Sequence, residues 1–236
     1  MKFSPRKQHI YHQANIQGQD YIVGDLHGEV DALKFELERV GFNYETDRLF
    51  CTGDIIDKGD TSIDCLNLLT EKWFYAVLGN HEQLFLKGFE SSKYWQMMQK
   101  QGGEWITPYL DRLDLLMRWK TLIDVTMPLA RTIEFAGKTI GISHANTPLD
   151  WQHVQSGELS EHDIWQLLWH RPLDERKPWY SVSGVDAVVH GHDPVPWITQ
   201  MRNRYWIETF THNKKLTVVR IDFFFPELQL AAAGMH

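Results

Sequence analysis

Apolar and polar residues follow two rhythms through the first eighty positions. Residues 20–23 form a short apolar run that stops at Gly24. Over residues 29–40, Val30, Leu33, Leu37 and Val40 recur at spacings of three and four, the stripe of an amphipathic helix, and Gly41 supplies a stop. A second apolar run, residues 48–52, ends at Gly53; residues 61–70 return to helical spacing; a third run, residues 73–78, ends at Gly79. Strand, polar loop and helix thus repeat three times, which predicts right-handed βαβ units and a parallel sheet.

Beyond His81 the rhythm changes. Residues 83–89, 93–101 and 108–119 read as helices rich in Trp, Met and Leu, a helical insertion over about residues 83–120. Its apolar spacing is that of packed core with an exposed rim, a substrate-recruiting cover being the alternative, and Trp95 or Trp105 is expected to border the cleft. Runs at 131–135 and 139–143 flank Ala136-Gly137-Lys138 and predict a hairpin. Residues 161–170 read as a helix and 185–189 as a buried strand. Three further runs, at 197–199, 205–209 and 216–221, are expected to close an antiparallel meander. No repeat or low-complexity linker divides the chain, so residues 1–225 read as one domain and 226–236 as a frayed tail.

Composition narrows the class. With 43% hydrophobic and 23% charged residues over 236 positions, the chain has ample apolar surface for a core and is no disordered segment. No apolar run approaches a membrane span, and the basic start MKFSPRKQHI leads into polar sequence, so neither membrane nor secretion is expected. Two cysteines, Cys51 and Cys65, offer no disulfide framework, which makes the cytoplasm the expected compartment. The net charge of −7 without a basic run speaks against nucleic acid as a partner. An acidic protein that handles phosphate must supply positive charge locally, and bound metal does so.

The three strand runs end in Gly24-Asp25-Leu26-His27-Gly28, Gly53-Asp54-Ile55-Ile56-Asp57-Lys58-Gly59 and Gly79-Asn80-His81-Glu82. Asp25 to Asp54 spans 29 residues and Asp54 to Asn80 spans 26, each one βαβ step. Loops past the carboxyl ends of neighbouring parallel strands converge on one crevice. His144, His190 and His192 follow later strand runs. Carboxylate and imidazole donors without thiolate suit Mn, Fe or Zn and a hydrolytic site. His9, His12, His153, His162, His170, His212 and His236 are read as surface or capping groups, and Cys51 as a small buried hydrophobe.

GDLHG, GDIIDKG, GNHE, a later SHA and a later GH, in this order over about residues 20–220, resemble the calcineurin-like metallophosphoesterases, and within them the phosphoprotein phosphatases of the small bacterial and bacteriophage lambda type. The resemblance implies an α/β fold, a mixed β-sheet sandwich flanked by helices, and two divalent ions. Mn is the first choice, with Fe, Zn or Mg as alternatives. It implies Asp25 and His27 on the first ion, Asp54 bridging, and Asn80, His144 and His192 on the second. It further implies that a bridging hydroxide attacks phosphorus in line, that His81 protonates the leaving oxygen and that Asp57 orients His81. Lys58, Arg171, Asn80 and His81 fall where phosphate is bound. Glu82 completes its motif without an assigned role, and His190 is expected to be a supporting or structural histidine, with a substrate contact as the sharper alternative.

Three places depart from the family pattern, one of them Ile207-Glu208-Thr209-Phe210-Thr211, where relatives carry an IDTGA-like segment. Lys58 stands where an arginine is usual, and Leu78 stands where an arginine often precedes GNHE. A lysine offers a point charge where arginine grips two oxygens. The leading expectation is a phosphomonoesterase for phosphoserine and phosphothreonine in proteins, with phosphotyrosine open. Leu78 keeps alive a hydrolase of dinucleoside polyphosphates or phosphodiesters, and a non-catalytic phosphate-binding module is the third alternative. Partners are accordingly a phosphorylated protein or a small phosphoester.

Overall fold

The computed structural model describes residues 8–174 and 180–228. Its strands are β1 (His9–His12), β2 (Asp20–Val23), β3 (Arg48–Cys51), β4 (Phe74–Ala76), β5 (Ala130–Phe135), β6 (Lys138–Ser143), β7 (Ala187–His190), β8 (Thr199–Met201), β9 (Arg204–Trp206) and β10 (Val218–Arg220). The helices are α1 (Val30–Arg39), α2 (Ser62–Leu68), α3 (Asn80–Gly88), α4 (Ser92–Gln99), α5 (Leu113–Thr126), α6 (Trp151–Ser156), α7 (Glu161–Trp169) and α8 (Phe210–Asn213). One sheet runs β10-β2-β3-β4 and the other β1-β5-β6-β7-β9-β8.

Side-chain alternation along each strand builds the layers. From β2 and β3, Tyr21, Val23, Leu49 and Cys51 face a core shared with α1, α2, α3, α5 and α7. The residues between them, Ile22 and Phe50, face the second sheet and pack with Ile133, Ile140, Ile142, Val189 and Phe224. On the far side, Trp151 and Val154 of α6 cover Ala130 and Val188. The result is helix, sheet, sheet, helix, the mixed sandwich that the resemblance implies. No helix among the described residues is long and apolar enough to cross a membrane.

Registers set where the loops end. β2, β3 and β4 are parallel, with Val23 opposite Cys51 and Cys51 opposite Ala76, so their following loops leave from one rim. Asp20 and Arg48 lock the other end of that pair: Arg48 Nε donates to Asp20 Oδ1 and Nη2 to Oδ2, both at 2.7 Å. The hairpin of β5 and β6 is antiparallel, and β6 lies parallel to β7. His144 and His190 therefore sit at the carboxyl ends of adjacent strands.

Several expectations need correction. The expected meander does not form. β8 and β9 make a hairpin whose β9 pairs parallel to β7, whereas β10 joins the other sheet antiparallel to β2. Runs of three residues carry too little alternation to say which sheet they enter. The GNHE motif opens a helix rather than sitting in a loop, because α3 starts at Asn80. The single helix expected over 108–119 is a 3-10 turn, Glu104–Tyr109, followed by α5. Strand β1 and helices α6 and α8 were not expected, and most of the expected frayed tail lies outside the described residues.

Strand β1 also changes the reading of His9 and His12. Neither is a surface group. His9 Nε2 lies 2.7 Å from Thr132 Oγ1, and Arg131 Nη1 donates to His12 Nε2 at 2.9 Å. Burial, reinforced by the Arg131 charge, pushes His9 down to about 4 and His12 down to about 3. Both are neutral in the fold but titrate near 6.5 in the unfolded chain. Below that pH the unfolded chain binds protons that the fold excludes, so their contribution to stability is intact above pH 6.5 and declines as the pH falls towards 4 and 3. The urea midpoint should be lower at pH 5 than at pH 7, and His12→Gln should narrow the difference. An equal difference in both proteins contradicts this.

Candidate active site

Asp54 stands at the centre. It follows β3 in a tight turn, has a φ of 44° and is 2% exposed. His81 donates its backbone N–H to Asp54 Oδ1 at 3.0 Å. The other oxygen, Oδ2, faces three imidazoles: His144 Nε2 at 3.3 Å, and His27 Nε2 and His81 Nε2 at 3.8 Å each. Burial pushes the Asp54 carboxyl up, but the His144, His81 and His27 imidazoles outweigh it and hold the group well below the usual carboxylate range.

Two groups of donors share this carboxylate. His27, Asp54 and His81 form one and Asp54, His144 and His192 the other, each with ligand atoms within 4.8 Å of one another. Donor chemistry tests whether a cation fits. His144 Nδ1 lies 2.8 Å from the Thr52 carbonyl, which only accepts, so Nδ1 carries a hydrogen. Nε2 then points at Asn80 Oδ1 (2.8 Å) and Asp54 Oδ2, two acceptors. Something positive must lie between them. In the free protein a proton serves: burial disfavours charge on His144, but the Asp54 and Asp25 carboxylates raise it to about 9. His192 Nε2 is buried with no hydrogen-bond partner, and burial next to His144 holds that ring neutral, down to about 2. Unused lone pairs beside a buried carboxylate fit divalent cations.

His27 is likewise neutral, pushed down to about 3 by burial, with Asp54 pulling it up and Lys58 pushing it down. Its Nδ1 lies 3.2 Å from the Ile56 carbonyl, and its Nε2 takes a hydrogen bond from Lys58 Nζ at 2.7 Å. The Lys58 ammonium thus engages the lone pair that a metal ion would use. Asp25 lies beside the two groups rather than within them. Thr52 Oγ1 donates to its Oδ1 and the His192 backbone N–H to its Oδ2, both at 2.8 Å. Burial raises Asp25 to about 7, with His144 pulling down and Asp54 and Glu208 pushing up. A Cβ at Gly191 would come within 1.8 Å of Asp25 Oδ1, so only glycine admits this carboxylate.

Asp57 Oδ2 lies 2.6 Å from His81 Nδ1 and fixes that ring with Nε2 towards Asp54. Burial disfavours charge on His81, but Asp54 and Asp57 together raise its pKa above the ordinary imidazole value. His27, Asp54, Lys58, Asn80, His81, Gln101, Trp169, Arg171 and His192 line a cavity of about 340 Å³. Arg171 is half-exposed and held by Asp193 at 3.2 Å. Leu78 is buried and contributes nothing to the cavity wall. His190 is fully buried behind the site, with Nδ1 at 3.1 Å from Ser143 Oγ and its ring over Trp206, and is not among the lining residues. Of the two tryptophans expected near the cleft, Trp95 donates to the Phe85 carbonyl inside the insertion, whereas Trp105 reaches Asp57.

Sequence reasoning left Glu82 without a role, and its partners supply one. Oε1 accepts the N–H groups of Ile55 and Ile56, and Oε2 those of Asp54 and Gly79. One carboxylate ties the second motif loop to the third. Thr52, Gln101 and Trp169 were also missed, because no motif carries them. Five of the positive-φ residues that are not glycine, His27, Asp54, Asp57, Lys58 and His192, belong to this site. Such conformations cost about 1–3 kcal/mol each and persist only where the surroundings over-determine them.

Carboxylates and imidazoles gathered at the ends of parallel strands, beside an Asp-supported imidazole, define a metal-dependent phosphoester hydrolase. The chain belongs to the calcineurin-like phosphoesterase family, whose model matches residues 21–196. Among its relatives, serine/threonine-protein phosphatase 2 of Escherichia coli K12 is 30% identical over 218 residues, covering 88% of this chain and 93% of the relative. The symmetrical bis(5'-nucleosyl)-tetraphosphatase of Haemophilus influenzae is 27% identical over 197 residues, covering 81% of this chain and 65% of the relative. A solved protein serine/threonine phosphatase from Saccharomyces cerevisiae shares the fold, with a TM-score of 0.61 at 16% identity over 85% of this chain and 70% of that one.

Glu82→Ala strands four amide N–H groups. It should lower unfolding free energy by at least about 2 kcal/mol in urea titration, since each unpaired buried donor costs about 1–3 kcal/mol. A loss within about 0.5 kcal/mol, the level of an ordinary surface change, contradicts the linking role.

Proposed function

We propose that this chain is a protein phosphatase acting on phosphoserine and phosphothreonine, with two divalent ions as cofactors. The observation that carries the reading is the hydrogen bond between Asp57 and His81. It fixes an imidazole at the wall of a cavity that also holds the metal-fitting donors. Asn80, His144 and His192 would hold one ion, His27 the other, and Asp54 would serve both. Asp25, now hydrogen-bonded to Thr52, would be the further carboxylate for the His27 ion. Mixed oxygen and imidazole donors without thiolate favour Mn, with Fe, Zn and Mg as substitutes. When bound, the ions supply Lewis acidity towards the phosphoryl oxygens and an acidified water as nucleophile.

The remaining steps belong to the chain. Lys58 releases His27 and, with Arg171 and Asn80, binds the phosphoryl oxygens. His81 Nε2 gives its proton to the serine or threonine oxygen as the P–O bond breaks, and Asp57 holds the ring in the tautomer that permits this. Alcohol and inorganic phosphate are the products. Residues 1–225 act as one catalytic domain with the helical insertion over about 83–120, in the cytoplasm, consistent with two buried free cysteines.

Leu78 favours a second reading. Its buried aliphatic side chain leaves Lys58 and Arg171 as the cationic side chains of the cavity wall, and a tetraphosphatase stands among the relatives. Hydrolysis of diadenosine tetraphosphate is that alternative. A binding module without turnover is disfavoured, because mere binding gives no reason for Asp57 to hold the His81 ring at the cavity wall.

The manganese-loaded enzyme should release phosphate from a phosphoserine peptide with a higher kcat/KM than it cleaves diadenosine tetraphosphate. The reverse order selects the second reading. Asp54→Ala should lose both metal and activity. His81→Ala should keep metal and lose about 10²–10⁴-fold in kcat, the usual worth of a positioned acid. Equal metal loss in the two variants, read by elemental analysis, contradicts the division between ligand and acid.

A further inference from the structure

The Asp57 carboxylate has two oxygens, and the phosphatase chemistry uses one. Oδ2 takes the Nδ1–H of His81 at 2.6 Å. Oδ1 takes the indole Nε1–H of Trp105 at 2.7 Å. Trp105 lies 48 residues further along the chain, in the 3-10 turn of the helical insertion. Asp57 has no exposed surface, so no bulk water can replace a lost donor. With both oxygens engaged, the carboxylate cannot rotate about its last bond, and Oδ2 stays aimed at His81. An indole N–H donates only, so it cannot compete with Asp57 for the His81 proton.

The rest of the insertion holds that indole in place. Its ring packs edge-on against Trp119 at 5.6 Å, and Trp119 packs against Tyr109 at 5.3 Å. The insertion grips the same loop a second time, where the Lys58 backbone N–H donates to the Gly102 carbonyl at 2.7 Å. Gly102 has a φ of +94°, and a Cβ there would come within 2.9 Å of the Lys58 Cα, so the approach requires glycine. Asp57 and Lys58 have φ values of 73° and 67°, conformations that a loop does not hold unaided. Both sit between these two anchors.

We propose that Trp105 is a positioning residue for proton transfer. Through Asp57 it fixes the His81 ring, and so makes the helical insertion part of the catalytic apparatus rather than a cover. The proposal rests on the reading of His81 as the acid and Asp57 as its support. It distinguishes substrates by their need for a proton. An ester with a poor leaving group, such as a phosphoserine peptide or phenyl phosphate, depends on the acid; p-nitrophenyl phosphate leaves as a stable anion and depends on it little.

Trp105→Phe keeps the ring packing and removes the N–H. In the manganese-loaded protein it should lower kcat for the phosphoserine peptide and phenyl phosphate by about 10-fold or more. For p-nitrophenyl phosphate the loss should be much smaller, with KM and bound metal unchanged for all three. In an Asp57→Asn background the same change should add little, because the two act as one unit. In metal-free protein the downfield Nδ1–H proton resonance of His81 should shift or broaden in Trp105→Phe, a readout independent of turnover. If Trp105→Phe does not fold, Trp105→His carries the test: its ring N–H should retain a larger share of phenyl phosphate turnover than Trp105→Met does. Equal losses on all three esters, or none, overturn the proposal. His81→Ala serves as the control. If it discriminates between the esters and Trp105→Phe does not, only the positioning role falls; if it too costs every ester equally, the reading of His81 as the acid falls first.

Discussion

A negative charge buried at the tip of β3 organises this molecule. An isolated buried carboxylate is costly, and Asp54 is tolerable because one oxygen takes a backbone N–H and the other faces three imidazoles. Those imidazoles come from the first, third and fourth motif segments, so satisfying one charge brings remote parts of the chain together. The parallel register of β2, β3 and β4 delivers the first three segments to one rim. The parallel pairing of β6 with β7 delivers His144 and His192 from the opposing sheet.

Holding donors this close stresses the backbone, and the structure shows where the stress is absorbed. Positive φ angles collect at His27, Asp54, Asp57, Lys58 and His192, while glycines stand where a side chain would collide with a carboxylate. A Cβ at Gly79 would lie 2.1 Å from Asp54 Oδ1. Glu82 offsets part of the strain by accepting four amide N–H groups across two loops. Burial drives its carboxyl up to about 7, aided by Asp54, while the His81 and His144 imidazoles and the Gly79 amide pull the other way. The insertion contributes from outside through Trp105 and Gly102. The motif loops and the insertion that grips them are therefore mechanically one unit.

Much of this was legible in the sequence, for identifiable reasons. The first three strands announce themselves because each apolar run ends at a glycine followed by Asp or Asn, and the βαβ spacing forces those ends together. The donors Asp25, His27, Asp54 and Asn80 stand at those ends and His144 and His192 at later strand ends, and the structure brings His27, Asn80, His144 and His192 around Asp54 with Asp25 adjacent. Glu82 was opaque because its partners are backbone amides of another loop, which no side-chain pattern encodes. Trp105 was one of two tryptophans expected at the cleft, but its hydrogen bond to Asp57 was not readable, and the Gly102-Gly103 pair in an otherwise helical stretch was the signal that could have set it apart from Trp95. The short strands near the carboxyl end were misassigned because three residues show no face preference until a neighbour is present. His9 and His12 were placed on the surface because HIYH does not read as a strand without Thr132 and Arg131 beside it.

The account stands or falls on the claim that Asp54 serves two cations at once. Anomalous diffraction from crystals grown with manganese, recorded on both sides of the metal edge, measures this directly. Two peaks should appear about 3.5–4 Å apart, the usual separation in two-metal sites, with the Asp54 carboxylate between them. A single peak, or a pair that leaves Asp54 uncoordinated, would contradict it.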